Sequence, residues 1–134
     1  MSYINFTKKD YVKVAVIDKQ HHNIAVALNN IHSNINSEDT ALIKNLIFKL
    51  VDEIEIHFET EEKLMQGNHF TGYISHKLEH DRFYRQLIQT ADNFPKSLDI
   101  IDEEYTNDLR KWFFNHLELK DKKLGSFLNE AGIK

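Results

Sequence analysis

The sequence contains no cysteine, one proline and four glycines in 134 residues. The missing thiols exclude disulfides, thiolate zinc sites, iron–sulfur clusters and cysteine nucleophiles. So few turn-forming residues argue against a sandwich or barrel and against a disordered linker. There is no excess of positive charge: 17 Lys and Arg face 21 Asp and Glu, for a net charge of −4. A broad basic footprint for nucleic acid is therefore not expected. No apolar run approaches the roughly 18 residues of a membrane span, and the first ten residues lack the apolar core of a signal peptide. The expectation is a cytoplasmic protein of one domain, residues 1–134, that meets neither nucleic acid nor membrane.

What the chain has in excess is histidine, eight residues in all. Histidine is the commonest metal ligand and titrates nearest neutral pH, so the placement of the eight decides the reading.

Residues 1–17 show no clean periodicity and read as an extended arm packed over the domain. Four helical stretches follow, over about 18–36, 37–66, 71–94 and from 102 onward, with a short C-terminal helix near Leu124, Phe127 and Leu128 that Gly125 interrupts. Their inward residues recur at alternating steps of three and four. The first stripe is Ile17, His21, Ile24, Leu28, Ile31 and Ile35. The second is Ile43, Ile47, Leu50, Ile54, His57, Glu61 and Leu64. Tyr73, His76, His80, Phe83, Leu87 and Phe94 make the third, and Tyr105, Leu109, Trp112, His116 and Leu119 the fourth. Asn36 and Ser37 suit a helix start, Gly67 and Asn68 a helix end, and Pro95 separates the last two long stretches. Short connections make neighbours antiparallel, which predicts an all-α, up-down-up-down four-helix bundle.

The stripes carry polar residues where a core should be apolar. Burying one such group without a partner costs roughly 2–7 kcal/mol, and several would erase the usual stability of about 5–15 kcal/mol. They must satisfy one another, and a metal does this efficiently. His57 and Glu61 are four residues apart, as are His76 and His80, so each pair shares a helix face. His21 and His57 are separated by 36 residues, and so are His80 and His116, one helical hairpin in each case. Asp121 follows His116 by five residues, which on a regular helix turns it about 140° away. A π-bulge or break near residues 117–120 is predicted to bring it inward.

Five histidines and two bridging carboxylates, with a solvent-derived bridge, supply one bond fewer than two octahedral ions need. The set is too rich for one tetrahedral zinc, and its nitrogen and oxygen donors suit iron or manganese. Two irons with one open position is the natural reading.

The segments Asp18–His21, His57–Met65, His76–His80, Trp112–His116 and Asp121–Leu124, in this order and spacing, resemble the hemerythrin family and its bacterial single-domain members. The resemblance implies that His76, His80 and His116 hold one iron, that His21 and His57 hold another with an open position, and that Glu61 and Asp121 bridge the pair. It further implies an oxo- or hydroxo-bridged non-haem di-iron centre that takes O2 reversibly, for storage, transport or delivery, without catalysis. Ile24, Phe58, Trp112 and Phe113 are the candidate walls of the O2 pocket. Two other functions compete: an O2 or redox sensor module, and a di-iron oxidase or nitric oxide-handling protein. The protein partner is open. Of the other histidines, His22 should point away, His69 falls in a loop, and His32 returns to the His21 face about 16 Å along the bundle. Glu62, Glu79 and Glu118 read as solvated, unless one of them orients a ligand histidine.

Overall fold

The computed structural model describes residues 3–95 and 101–134. A 3₁₀ turn at Lys8–Asp10 is followed by α1 (Ala15–Ser33), α2 (Thr40–Gly67), α3 (Tyr73–Asn93), α4 (Glu103–His116), a π-helical turn at Leu117–Asp121, and α5 (Lys122–Glu130). Helix α1 packs on α2 and α4, and α2 packs on α3. The four long helices close an up-down-up-down bundle, and Phe83 of α3 stacks on Trp112 of α4 at 3.7 Å between ring centres. Among the described residues, no helix is long and apolar enough to cross a membrane.

The stripes lie inside as their spacing requires. Ile17, Ile24, Leu28 and Ile31, then Ile43, Ile47, Leu50 and Ile54, then Phe83, Leu87 and Leu109 are all buried. Ile35 lies beyond α1 and is half-buried against this core. Leu119 departs from its stripe and is 72% exposed. The π turn adds residues to the helical repeat, so Leu119 rotates outward as Asp121 rotates inward.

Boundaries moved where side chains cap differently from expectation. The arm does not reach Ile17: Val14 is its last extended residue, and the chain is helical from Ala15. Asp18 sits in the first turn and reaches back, accepting hydrogen bonds from the backbone amides of Val12 (2.7 Å) and Lys13 (3.1 Å). Ser37 does not open α2. Asp39 does, accepting from the Leu42 amide at 3.0 Å, and Ser37 Oγ instead accepts from the Asp39 amide. Asp102 caps α4 in the same way through the Tyr105 amide at 2.8 Å. Gly125 does not break the last helix but lies within it. A Cβ there would stand 2.5 Å from the Val12 carbonyl oxygen, so glycine is what lets α5 approach the arm.

A second, smaller core of Val12, Val14, Ile17, Met65, Phe70, Leu124 and Leu128 joins the arm to α5 beneath the bundle. The polar cluster lies between the two cores.

Candidate metal centre

Seven buried polar side chains converge from five elements. His21 comes from α1, His57 and Glu61 from α2, His76 and His80 from α3, His116 from the end of α4, and Asp121 from the π turn. None is more than 4% exposed. The four-residue spacings on α2 and α3 do what helix geometry says: each pair faces the centre from adjacent turns. The π turn adds the seventh, placing Asp121 on the same face as His116 despite their separation of five.

All five imidazoles turn Nε2 toward the two carboxylates. His21 Nε2 lies 2.8 Å from Asp121 Oδ2, and His116 Nε2 3.0 Å from Asp121 Oδ1. His76 Nε2 stands between both acids, 3.2 Å from Glu61 Oε1 and 3.0 Å from Asp121 Oδ1. His80 Nε2 is 3.1 Å from Glu61 Oε1, and His57 Nε2 is 3.5 Å from the same oxygen. The donor atoms sort into two sets, each within 4.8 Å: Glu61, His76, His80, His116 and Asp121 in one, and His21, His57, Glu61 and Asp121 in the other. Each set is a place for one cation, and the two acids belong to both.

The outer nitrogens are held from behind. His57 Nδ1–H donates to Gln20 Oε1 (2.9 Å), His80 Nδ1–H to Glu62 Oε2 (3.0 Å), and His116 Nδ1–H to Glu79 Oε1 (3.0 Å). This fixes the tautomer that leaves Nε2 with a lone pair for a metal. Glu62 and Glu79 are thus orienting residues, with their heads at the rim; Glu118 is exposed and pairs with Lys122.

Burial works against every charge in the cluster, yet the acids are held ionised. At Glu61, burial and the Asp121 charge push the pKa up, and the charge of His57 with the close imidazole nitrogens of His76 and His80 outweighs them, to about 2. At Asp121, burial is likewise opposed by His116, His21 and His57, which leave the carboxyl well below its usual range. Burial lowers His57. It also opposes charge on His76, but Asp121 and Glu61 raise that imidazole to about 9. Two carboxylates that stay charged without water are suited to cations.

Whether these residues fit metal ions is decided by atoms that find no partner. Among the described residues, the buried side-chain nitrogens and oxygens without a hydrogen bond are Tyr3 Oη, His21 Nδ1, His57 Nε2, Glu61 Oε2, His80 Nε2, His116 Nε2 and Asp121 Oδ1. Six of these seven belong to the cluster. Leaving each unsatisfied costs about 1–3 kcal/mol, and a cation within each donor set removes that cost for the five that face the centre, all but His21 Nδ1. Five nitrogen and two carboxylate donors, with no sulfur, match a hard or borderline divalent ion.

The profile of the hemerythrin HHE cation-binding domain matches residues 12–128. The chain belongs to the hemerythrin family. Among its relatives, a bacteriohemerythrin of Stenotrophomonas maltophilia is 32% identical over 111 residues, covering 83% of this chain and 72% of the relative. One from Methylococcus capsulatus is 25% identical over 130 residues, covering 96% and 99%. A crystal structure of wild-type hemerythrin superposes with a TM-score of 0.87 at 25% identity, covering 93% of this chain and 97% of that one.

Aromatic rings surround this hemerythrin centre unequally. Phe58 stacks on His80 at 3.7 Å and Trp112 on His116 at 4.6 Å, both nearly parallel. Phe113 meets His21 edge-on at 5.7 Å. Ile24 is buried in the main core one turn beyond His21. Of the four expected pocket walls, Phe113 and Ile24 therefore lie on the two-histidine side. Phe58 spans both sides, 6.1 Å from His57, and Trp112 stacks in the three-histidine half.

One neighbour of the centre had no motif to announce it. Phe6, from the arm, lies 6.1 Å from His21 and 6.5 Å from Phe113. His22 and His69 are exposed. His32 stands apart from the centre, stacked on Tyr3 at 3.6 Å and bonded to Glu103 at 3.0 Å.

Proposed function

We infer that this chain binds O2 reversibly at a non-haem di-iron centre, for storage, transport or delivery, without turnover. One observation carries the reading: two cation sites share both acids but differ in histidine count, three against two. His76, His80 and His116 would hold one iron, His21 and His57 the other, and Glu61 and Asp121 would bridge. With both acids shared, the set holding His21 and His57 has one protein donor fewer than the other, and an ion held there would keep a place for a diatomic ligand. When bound, the iron pair would supply the two electrons that reversible O2 uptake needs.

The remaining chemistry belongs to the chain. Phe113, Ile24 and Phe58 form the apolar wall beside His21 and His57, while Trp112 walls the opposite half. The burial of Ile24, Phe58 and Phe113 would keep water and stray protons from O2, which is the condition for releasing it unchanged. Gln20, Glu62 and Glu79 hold the imidazoles by Nδ1, so the Nε2 geometry does not drift between oxidation states.

The test is purified protein loaded with iron, reduced, and exposed to O2. Two irons per chain and a coloured adduct that disappears under vacuum through repeated cycles are expected. Continuous O2 consumption with a reductant would mark an oxidase instead. Replacing His57 by Ala should leave one iron and abolish the stable adduct; normal cycling in that variant would overturn the ligand assignment.

A further inference from the structure

The imidazoles of the centre are not all oriented in the same way. His57, His80 and His116 are each held through Nδ1 by a hydrogen bond. His21 has no such bond: its Nδ1 is buried and unpaired. Two rings meet it instead, Phe113 at 84° and Phe6 at 68°, both edge-on. Phe113 belongs to α4 and is fixed by the bundle. Phe6 belongs to the arm and is half-buried, with exposed Tyr11 and His22 on its outer side at 5.7 and 6.5 Å. It is the layer between solvent and a histidine that is itself fully buried.

The arm is hooked to the bundle away from the centre. Asn29 of α1 accepts from the Ile4 amide at 2.6 Å and donates back to the Ile4 carbonyl at 3.0 Å. Ile4 is 2% exposed and both bonds are part-buried, so the arm is anchored in the main core at this point. The Thr7 amide donates to Asp10 Oδ2, closing the turn that follows Phe6.

We propose that Phe6 is a positioning and sealing residue for the two-histidine half: it holds the His21 ring by edge contact and keeps water and anions out, and the Asn29–Ile4 pair holds it in place. The proposal rests on the di-iron reading for its consequence at the open position, but its geometry is a property of the chain alone. Removing the ring opens a path to His21 without touching any residue assigned as a ligand. Unhooking the arm at Asn29 produces the same opening from a distance.

The experiment compares wild type with Phe6→Ala, Phe6→Leu and Asn29→Ala. In the metal-free protein, hydrogen–deuterium exchange at the His21 C2 position is followed by NMR. In the iron-loaded, oxidised protein, the rate of azide entry is followed by absorbance. Phe6→Ala is expected to speed both several-fold, Asn29→Ala to speed both less, and Phe6→Leu to restore azide entry toward wild type because it restores apolar cover. A structural role alone would lower the melting temperature of Phe6→Ala and leave both rates unchanged, and that result overturns the proposal. Should the wild type fail to hold two irons or to take azide, the di-iron reading falls, while C2 exchange still judges the seal. If Phe6→Ala does not fold, the Phe6→Leu and Asn29→Ala rates decide by themselves.

Discussion

The two halves of the centre share their acids and differ in almost everything behind them. In the three-histidine half, His80 and His116 each have a carboxylate at Nδ1 and a parallel aromatic ring on the face. Those carboxylates, Glu62 and Glu79, are only partly buried, at 21% and 35% exposed. In the two-histidine half the one Nδ1 partner is the amide of Gln20, itself 9% exposed and steadied by Thr60 at 2.9 Å. Around His21 only ring edges remain. One half is built from charge at the rim and the other from neutral groups sealed inside. Charged acceptors make an imidazole a stronger donor to metal. A neutral, dry half is where a small uncharged molecule enters without meeting a competing anion or proton.

The most severe way to break this comparison is to remove what the halves share. Asp121 touches His21, His76 and His116 within 3.0 Å. Its replacement by Ala strips a donor from both cation sites and leaves three imidazoles facing an empty space. We expect iron content to fall below one per chain, by elemental analysis after loading, with the helical circular dichroism spectrum retained. Retention of two irons would show that Asp121 is not a bridge.

That residue also measures how far the sequence could be read. Asp121 is out of phase with His116 on a regular helix, and requiring both to face inward demanded a local π turn, which occurs at Leu117–Asp121. The same insertion carries Leu119 to the surface, a consequence the simple three-four count misses. The other six cluster residues were legible because periodicity reports the direction of Cβ, and in each of them the functional atom lies along it. Glu62 and Glu79 were read as solvated unless one oriented a ligand histidine, and both do: their long side chains reach from the rim to His80 and His116. Phe6 carried no signal, since an arm without periodicity gives no face to count. Gly125 looked like a breaker because close backbone approach and helix termination use the same residue type.

The next effect in size separates the halves. Gln20→Leu keeps the volume near His57 but removes the acceptor for its Nδ1–H. The site is dry, so no water takes the place of the amide, and an unpaired buried donor costs about 1–3 kcal/mol. Iron in the two-histidine site should be released to a chelator faster by roughly tenfold or more, while the second iron leaves at the wild-type rate. Biphasic release, one phase accelerated and one unchanged, is the expected record. Equal acceleration of both phases would mean that the two sites do not act as separate halves.

The smallest effect belongs to the rim. Glu79→Gln keeps an acceptor within reach of His116 Nδ1 and loses only the charge, at a position open enough for water to assist. The wild-type carboxylate is also held by Lys120, 3.6 Å away on the π turn, so its charge is already partly balanced. Burial raises the Glu79 pKa and the His116 and Lys120 contacts lower it by more, which marks a stabilised anion but an accessible one. Charge-assisted hydrogen bonds are roughly twice as strong as neutral ones, and solvent screening reduces that advantage here. We therefore expect iron in the three-histidine site to be lost at most about tenfold faster, with O2 cycling preserved. A larger loss than in Gln20→Leu would reverse the ranking of the two halves, because it would show that rim charge governs metal retention more than the dryness of the site.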